Sequence, residues 1–305
     1  MAELLSNWFE DERILENYVF PPEKRPGELV VPIGKANVPI VDLHDEENNT
    51  IHHIMKVSQD FGLFQMRFIL SYLLLLEQVV NHEISAELMT GVMKGRLQYI
   101  NISICPSNTI EFFRATVGPF VIALRDLGSR ILGLISKGLG LESKYFAKEL
   151  SEDCTLTINH YPPCPNPSLS LGINKHTDPS LITILLTGEV PGLQALMDGQ
   201  WMGVETLPNA LLVIIGNQLE VVSNGKLKSG IHRVVTNAKE ARSSAAFFIN
   251  PTKSCIVEPA KALVEAQNSE PLYKAFQYKD FFKAYTDASS GDIVAVLEAF
   301  KIKNS

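Results

Sequence analysis

The chain has 305 residues, 46% hydrophobic and 20% charged, which is enough apolar text for one large domain or two small ones. Its formal net charge is −7, from 34 acidic and 27 basic side chains, so it lacks the basic excess that holds nucleic acid. Its four cysteines (Cys105, Cys154, Cys164, Cys255) are widely spaced without a CxxC pair, which argues against a zinc ribbon and reads as reduced cytoplasmic thiols.

The opening stretch "MAELLSNWFEDERILENY" is acidic and lacks the apolar centre of a secretory signal. Residues 1–37 are expected to form an extended arm, because Pro21, Pro22 and Pro26 break any helix. "VPIVDL" (38–43) predicts a short strand. Residues 48–64 predict an amphipathic helix, with Ile51, Ile54, Met55 and Val57 at helical spacing and Gly62 as the stop. "MRFILSYLLLLEQVV" (66–80) is too short to cross a bilayer and carries Arg67 and Glu77, so a buried or badly placed helix is preferred to a membrane anchor. A further helix is expected over 85–95. Residues 109–141 carry a long helical pattern that Pro119 should kink or split.

From about residue 152 the period changes. Eight short apolar runs, "TLTINHY", "LITILLT", "LQALM", "WMGVE", "ALLVIIG", "LEVVS", "IHRVVT" and "SAAFFI", alternate with turn signals. The dipeptides at Asp198–Gly199 and Asn224–Gly225 are strong hairpin signals. This pattern predicts a mainly β fold with flanking helices, as a sandwich or jelly roll. After Pro259 the pattern turns helical again, most clearly over 270–286.

The chemistry concentrates at "LGINKHTDPSLITILL" (171–186). In a strand, His176 and Asp178 point to one face, so imidazole and carboxylate converge. His232, which opens another apolar β run, supplies a third ligand. Two His and one carboxylate leave open positions on a metal, the pattern of non-haem Fe(II) oxygenases. Taken alone, the first pair is better explained by a strand end with a turn Asp. Ten residues after His232, Arg242 and Ser244 share a face of the next strand, a fork and a hydroxyl suited to a carboxylate. Upstream, Asn159 and Tyr161 share a strand face before prolines end it. A surface ion pair is the plain alternative for Arg242, and a core aromatic for Tyr161. All of them falling in order along one β region favours a common site.

These segments, "NHYPPCPNP", "HTD", "SNGKLKSGIHRVV" and "ARSS", resemble those of the plant 2-oxoglutarate- and Fe(II)-dependent dioxygenases. "VPIVDL", "QDFGLFQ" and "LISKGLGL" fit as well, and "SNWFEDERILENYVFPPEKRP" and "EPAKALVEAQNSEPLYKAFQYKDF" are most similar to the hyoscyamine hydroxylase-like branch. The resemblance implies a double-stranded β-helix (jelly roll) core wrapped by helices. It implies that His176, Asp178 and His232 hold Fe(II), and that Arg242 and Ser244 grip the distal carboxylate of 2-oxoglutarate with help from Tyr161. Asn159 is implied near the chelating end. O2 is the oxidant, ascorbate a supporting reductant, and a small plant metabolite the substrate, with succinate and CO2 released. Neither nucleic acid nor membrane is expected as a partner, and a cytoplasmic monomer is expected. Leu193 and Phe248 are candidates for the pocket wall, although ordinary core packing accounts for both. The implied organisation is an N-terminal region (1–110), a long helical segment (111–151), a dioxygenase core (152–252) and a C-terminal helical extension (253–305).

Two departures from the family pattern matter. Residues 66–77 look inserted into a strand that resumes only at 78–85, which would break the first layer of the fold. Between residues 95 and 110 the family has several tens more residues, including strands and part of the substrate pocket. Retained intron sequence beside a skipped exon, or a faulty gene model, explains both. Lost strands would leave the core incomplete. The second reading is therefore a catalytically impaired splice product or a small-molecule binder. A third, an oxidase of the same fold without 2-oxoglutarate, is disfavoured, although Arg242 and Ser244 do not exclude it. Asn217 stands where the family usually has Asp. His44, His52, His53, His82 and His160 have no ligand spacing and are read as surface or structural.

Overall fold

The structure is a computed structural model that describes residues 19–26, 38–67, 98–102, 111–205, 207, 210–266, 268–288 and 293–302, with backbone alone for 98–102 and 111–117. Two β-sheets face each other. The larger contains β1 (Ile40–Asp42), β2 (Leu63–Arg67), β3 (Gln98–Ile102), β4 (Asp153–Tyr161), β6 (Ile182–Leu186), β9 (Ala210–Ile215) and β11 (Arg242–Asn250), in the order β1-β2-β9-β6-β11-β4-β3. The smaller contains β5 (Leu171–His176), β7 (Leu193–Met197), β8 (Gln200–Gly203) and β10 (His232–Val235), in the order β5-β10-β7-β8. Apart from β1–β2, β3–β4 and β7–β8, strands that follow one another in the chain are not paired in these two sheets, and the chain passes from one sheet to the other, as in a jelly roll.

Strand alternation sorts the side chains into two cores. On β11, Ala246 and Phe248 point into the space between the sheets, and Ala245, Phe247 and Ile249 point out to the helices. On β9, Leu212 and Ile214 point inward while Leu211, Val213 and Ile215 point outward. The outer core is completed by α1 (Glu47–Asp60) and α2 (Glu111–Gly138), the latter burying Phe120, Leu124, Ile131 and Ile135 at helical spacing. Each fully buried side chain of this size contributes about 1.5–3 kcal/mol. The inner core is smaller: Val38, Leu63, Leu185, Leu193, Ala195, Val204 and their neighbours line the gap that holds the candidate site.

Several expectations change. β2 is not broken at residue 66: Met66 and Arg67 complete it, paired with β9 from Leu63↔Ile214 to Arg67↔Ala210. The alternation explains the fit, because Met66 is fully buried against the helical layer beside Phe64. In the stretch from which strands were expected to be missing, β3 pairs antiparallel with β4 over five residues, Gln98↔His160 to Ile102↔Leu156. Both sheets are thus formed. Residues 68–97 and 103–110 lie outside the described residues, and with them most of 66–80, the expected helix at 85–95, His82 and Cys105.

Pro119 does not split α2, which runs unbroken through it. Proline removes one backbone donor, a loss that the flanking turns of a 28-residue helix absorb. "LEVVS" is not a strand but the body of α3 (Asn217–Val222). Asn224–Gly225 therefore closes a helix instead of a hairpin: both residues have left-handed φ (52° and 77°), and the Gly225 N–H bonds back to the Glu220 carbonyl at 2.9 Å. The other dipeptide behaves as expected. Asp198 and Gly199, both at positive φ (48° and 76°), join β7 to β8 in a two-residue hairpin with Met197↔Gln200 closing the ladder. β5 was not among the eight predicted strands. The helix expected over 270–286 is shorter, α5 (Tyr278–Asp287), and is preceded by β13 (Phe276–Gln277), which pairs with β12 (Ile256–Val257). A short α4 (Lys261–Ala266) lies between β12 and β13.

Candidate metal centre

The two histidines come together because β5 and β10 run antiparallel with His176 directly opposite His232. Cross-strand partners share a face, and the ring centroids are 4.1 Å apart. Asp178 lies two residues past the end of β5, in a turn rather than in the strand, so period two does not aim it. The turn does. The Asp178 carbonyl accepts the Asn217 N–H at 2.8 Å, and Oδ2 accepts the Thr183 hydroxyl at 2.6 Å. Ser180 donates in turn to Thr183 at 3.1 Å. Oδ1 is left facing the imidazoles, 3.6 Å from Nε2 of His176 and 3.8 Å from Nε2 of His232. One ligand atom from each of the three buried residues lies within 4.8 Å of the others.

The imidazoles are prepared for a cation. Nδ1 of His176 lies 2.8 Å from the Asn174 carbonyl, and Nδ1 of His232 lies 3.0 Å from the Gly230 carbonyl. A carbonyl only accepts, so Nδ1 carries the proton and Nε2 keeps its lone pair toward the centre. Burial, more than the neighbouring His232, pushes the His176 imidazole from 6.5 down to about 4, against the pull of Asp178. The ring is therefore neutral and able to ligate at neutral pH. The sign of the linkage follows: between about 4 and 6.5 the unfolded chain takes up a proton that folded His176 refuses. Thermal denaturation of the metal-free protein should show stability that is full above pH 6.5 and falls as pH drops toward 4; a flat profile would contradict a neutral buried His176.

Across the gap, the larger sheet presents a second set of cross-strand pairs, Arg242↔Tyr161 and Ser244↔Asn159. All four are buried, Arg242 to 2% exposure. Its Nη1 donates to the Ser244 hydroxyl at 3.3 Å, and its guanidinium lies 5.3 Å from the Tyr161 ring centre. Burial depresses its affinity for the proton, and Tyr161 partly restores it. Among the described residues no carboxylate pairs with Arg242, and its buried Nε has no hydrogen-bond partner. Oδ1 of Asn159 is likewise buried without one. A buried cation with an idle donor fits an anionic ligand entering the gap.

Gly192 makes room for this arginine: a Cβ there would stand 2.7 Å from Arg242 Cδ and 3.0 Å from the Val235 carbonyl. Gly192→Ala should displace the guanidinium. A misplacement near 1 Å costs on the order of 100-fold in rate, which succinate release in the presence of Fe(II) and 2-oxoglutarate would read; an unchanged rate would show that the pocket absorbs the methyl group.

Leu193 is buried in the inner core and Phe248 packs half-buried against it. His44, His52 and His53 are exposed, and His160 bonds to Ser243 at 2.9 Å on the strand face opposite Asn159. The side chain of Asn217 is fully buried with its amide unpaired among the described residues. Thr183 was missed by the sequence reading, although a lone inward-facing Thr in the apolar run "LITILL" is a readable signal.

A sequence profile of the 2OG-Fe(II) oxygenase superfamily matches residues 152–251. Hyoscyamine 6-dioxygenase of Hyoscyamus niger is 32% identical over 361 aligned residues, covering 99% of each chain. Flavanone 3-dioxygenase 2 of Oryza sativa subsp. japonica is 30% identical over 318, covering 88% of this chain and 89% of that one. Among solved structures, JOX2 in complex with 2OG, Fe and JA superposes with a TM-score of 0.79 at 25% identity, covering 96% and 95%.

Proposed function

This chain belongs to the 2-oxoglutarate- and Fe(II)-dependent dioxygenases, and on that premise we propose that it hydroxylates a small plant specialised metabolite such as an alkaloid or flavonoid. Iron and 2-oxoglutarate, when bound, activate O2 and couple decarboxylation of the keto acid, to succinate and CO2, to oxidation of the substrate. The protein's own residues bind and orient. His176, Asp178 and His232 hold Fe(II) through two neutral nitrogens and one carboxylate oxygen. Arg242 and Ser244 hold the distal carboxylate of 2-oxoglutarate, with Tyr161 against the guanidinium and Asn159 near the chelating end. The apolar inner face, including Leu185, Leu193 and Phe248, excludes water beside the reacting groups.

One observation carries this reading: three ligand atoms converge at the smaller sheet and the turn after it, while a buried arginine with no carboxylate partner among the described residues lies on the inner face of the larger sheet. Among the described residues Cys154, Cys164 and Cys255 are free thiols, which supports a cytoplasmic setting, and we take the working form to be a monomer. No helix among the described residues is long and apolar enough to cross a membrane.

An anaerobic titration of the 305-residue chain with Fe(II) and 2-oxoglutarate tests the site. We expect the visible charge-transfer absorption of a chelated keto acid, followed on admitting O2 by succinate release that a panel of alkaloids and flavonoids accelerates. A folded protein without the absorption would sink the assignment of the site. Absorption and succinate with no response to any member of the panel would sink the substrate class alone.

A further inference from the structure

The Asp178 turn is tied from a third side by a residue far along the chain. The Tyr285 hydroxyl, on α5, donates to the Thr177 carbonyl at 2.8 Å, across a separation of 108 residues. Thr177 stands between His176 and Asp178, and its carbonyl belongs to the peptide unit that carries the Asp178 N–H. β5 has ended at His176, so no strand ladder orients that unit. The next peptide unit is held through the Asp178 carbonyl by the Asn217 N–H. Both planes flanking the Asp178 Cα are thus fixed, and Thr183 fixes the carboxylate beyond it. The phenol is itself well anchored: its ring packs on the outer core and against fully buried Phe281, with centroids 6.4 Å apart.

We propose that Tyr285 is a positioning residue for the metal-binding turn, acting through the Thr177 carbonyl without touching metal or substrate. This rests on Asp178 being an iron ligand. It makes α5 part of the site: with the hydroxyl gone, the Thr177 carbonyl loses this donor and the peptide before Asp178 is freer to rotate. Residues that orient a ligand typically change metal affinity by 10- to 100-fold.

The test uses the full chain, metal-free, with Co(II) as the probe. Tyr285→Phe keeps the ring and removes the hydroxyl. We expect its Co(II) dissociation constant, read from visible ligand-field absorption, to rise about 10- to 100-fold. Amide hydrogen exchange over residues 177–183 should also be faster before any metal is added. Tyr278→Phe is the control: it removes a hydroxyl from the same helix that bonds to Asn250 at 3.1 Å instead of to the turn, and should keep wild-type Co(II) affinity. Wild-type affinity and wild-type exchange in Tyr285→Phe overturn the proposal, as does an equal loss of affinity in Tyr278→Phe. Wild-type affinity in Asp178→Ala instead overturns the ligand assignment, and the role of Tyr285 falls with it.

Discussion

Asp178→Ala should yield a folded protein with no iron-dependent turnover. The substitution removes the one carboxylate among three converging ligands and leaves two neutral imidazoles, too little charge to hold a divalent ion in an apolar gap. The Thr183 hydroxyl also loses its 2.6 Å acceptor, so stability drops modestly, by about 1 kcal/mol. Changing residues that merely orient a ligand costs about 10- to 100-fold in metal affinity, so loss of the ligand itself should exceed that range. Fe(II) affinity and succinate formation measured on one preparation decide the matter. Retained turnover would refute the ligand set, and His176→Ala should fail in the same way.

Arg242→Met separates binding from stability because the two should move in opposite directions. In the ligand-free protein the guanidinium is buried with no carboxylate beside it among the described residues, which is a cost. An apolar side chain of similar length removes that cost, so the ligand-free melting temperature should hold or rise. The affinity for 2-oxoglutarate should collapse, since deleting one partner of a buried charge pair costs about 2–5 kcal/mol, or roughly 30-fold to several thousand-fold in Kd. Fe(II) binding by His176, Asp178 and His232 should stay within a few-fold of wild type. A lower melting temperature with unchanged affinity would make Arg242 a purely structural residue.

Much of the site was legible because strands repeat every second residue. Asn159 with Tyr161 and Arg242 with Ser244 are i, i+2 pairs, and both proved to share an inward face. The same rule misled at Asp178, which lies beyond the strand and is aimed by side-chain and backbone bonds that no periodicity encodes. It misled again at "LEVVS", where five apolar-rich residues suit a strand or a buried helix equally, and Asn-Gly suits a hairpin or a helix end. Tyr285 could not be found from spacing at all, because its partner is 108 residues away. Placing the start of the interruption at residue 66 failed for a local reason: Met66 continues the alternation that Phe64 begins, and the strand accepts it through Arg67, while residues 68–77 lie outside the described residues.

The division of the site between two sheets has a consequence for the protein's lifetime. On the proposed assignment, iron would engage the smaller sheet and the turn after it, and the far end of 2-oxoglutarate would engage the larger one. Together they would form a removable cross-link through the middle of the sandwich, where the inner apolar core is small. Ligands that bind only the folded state add stability in proportion to the logarithm of their concentration, about 2.7 kcal/mol at 100 times Kd. Resistance to proteolysis then tracks supply: a cell short of iron or of the keto acid would hold less of this enzyme as well as a slower one, with no change in its synthesis.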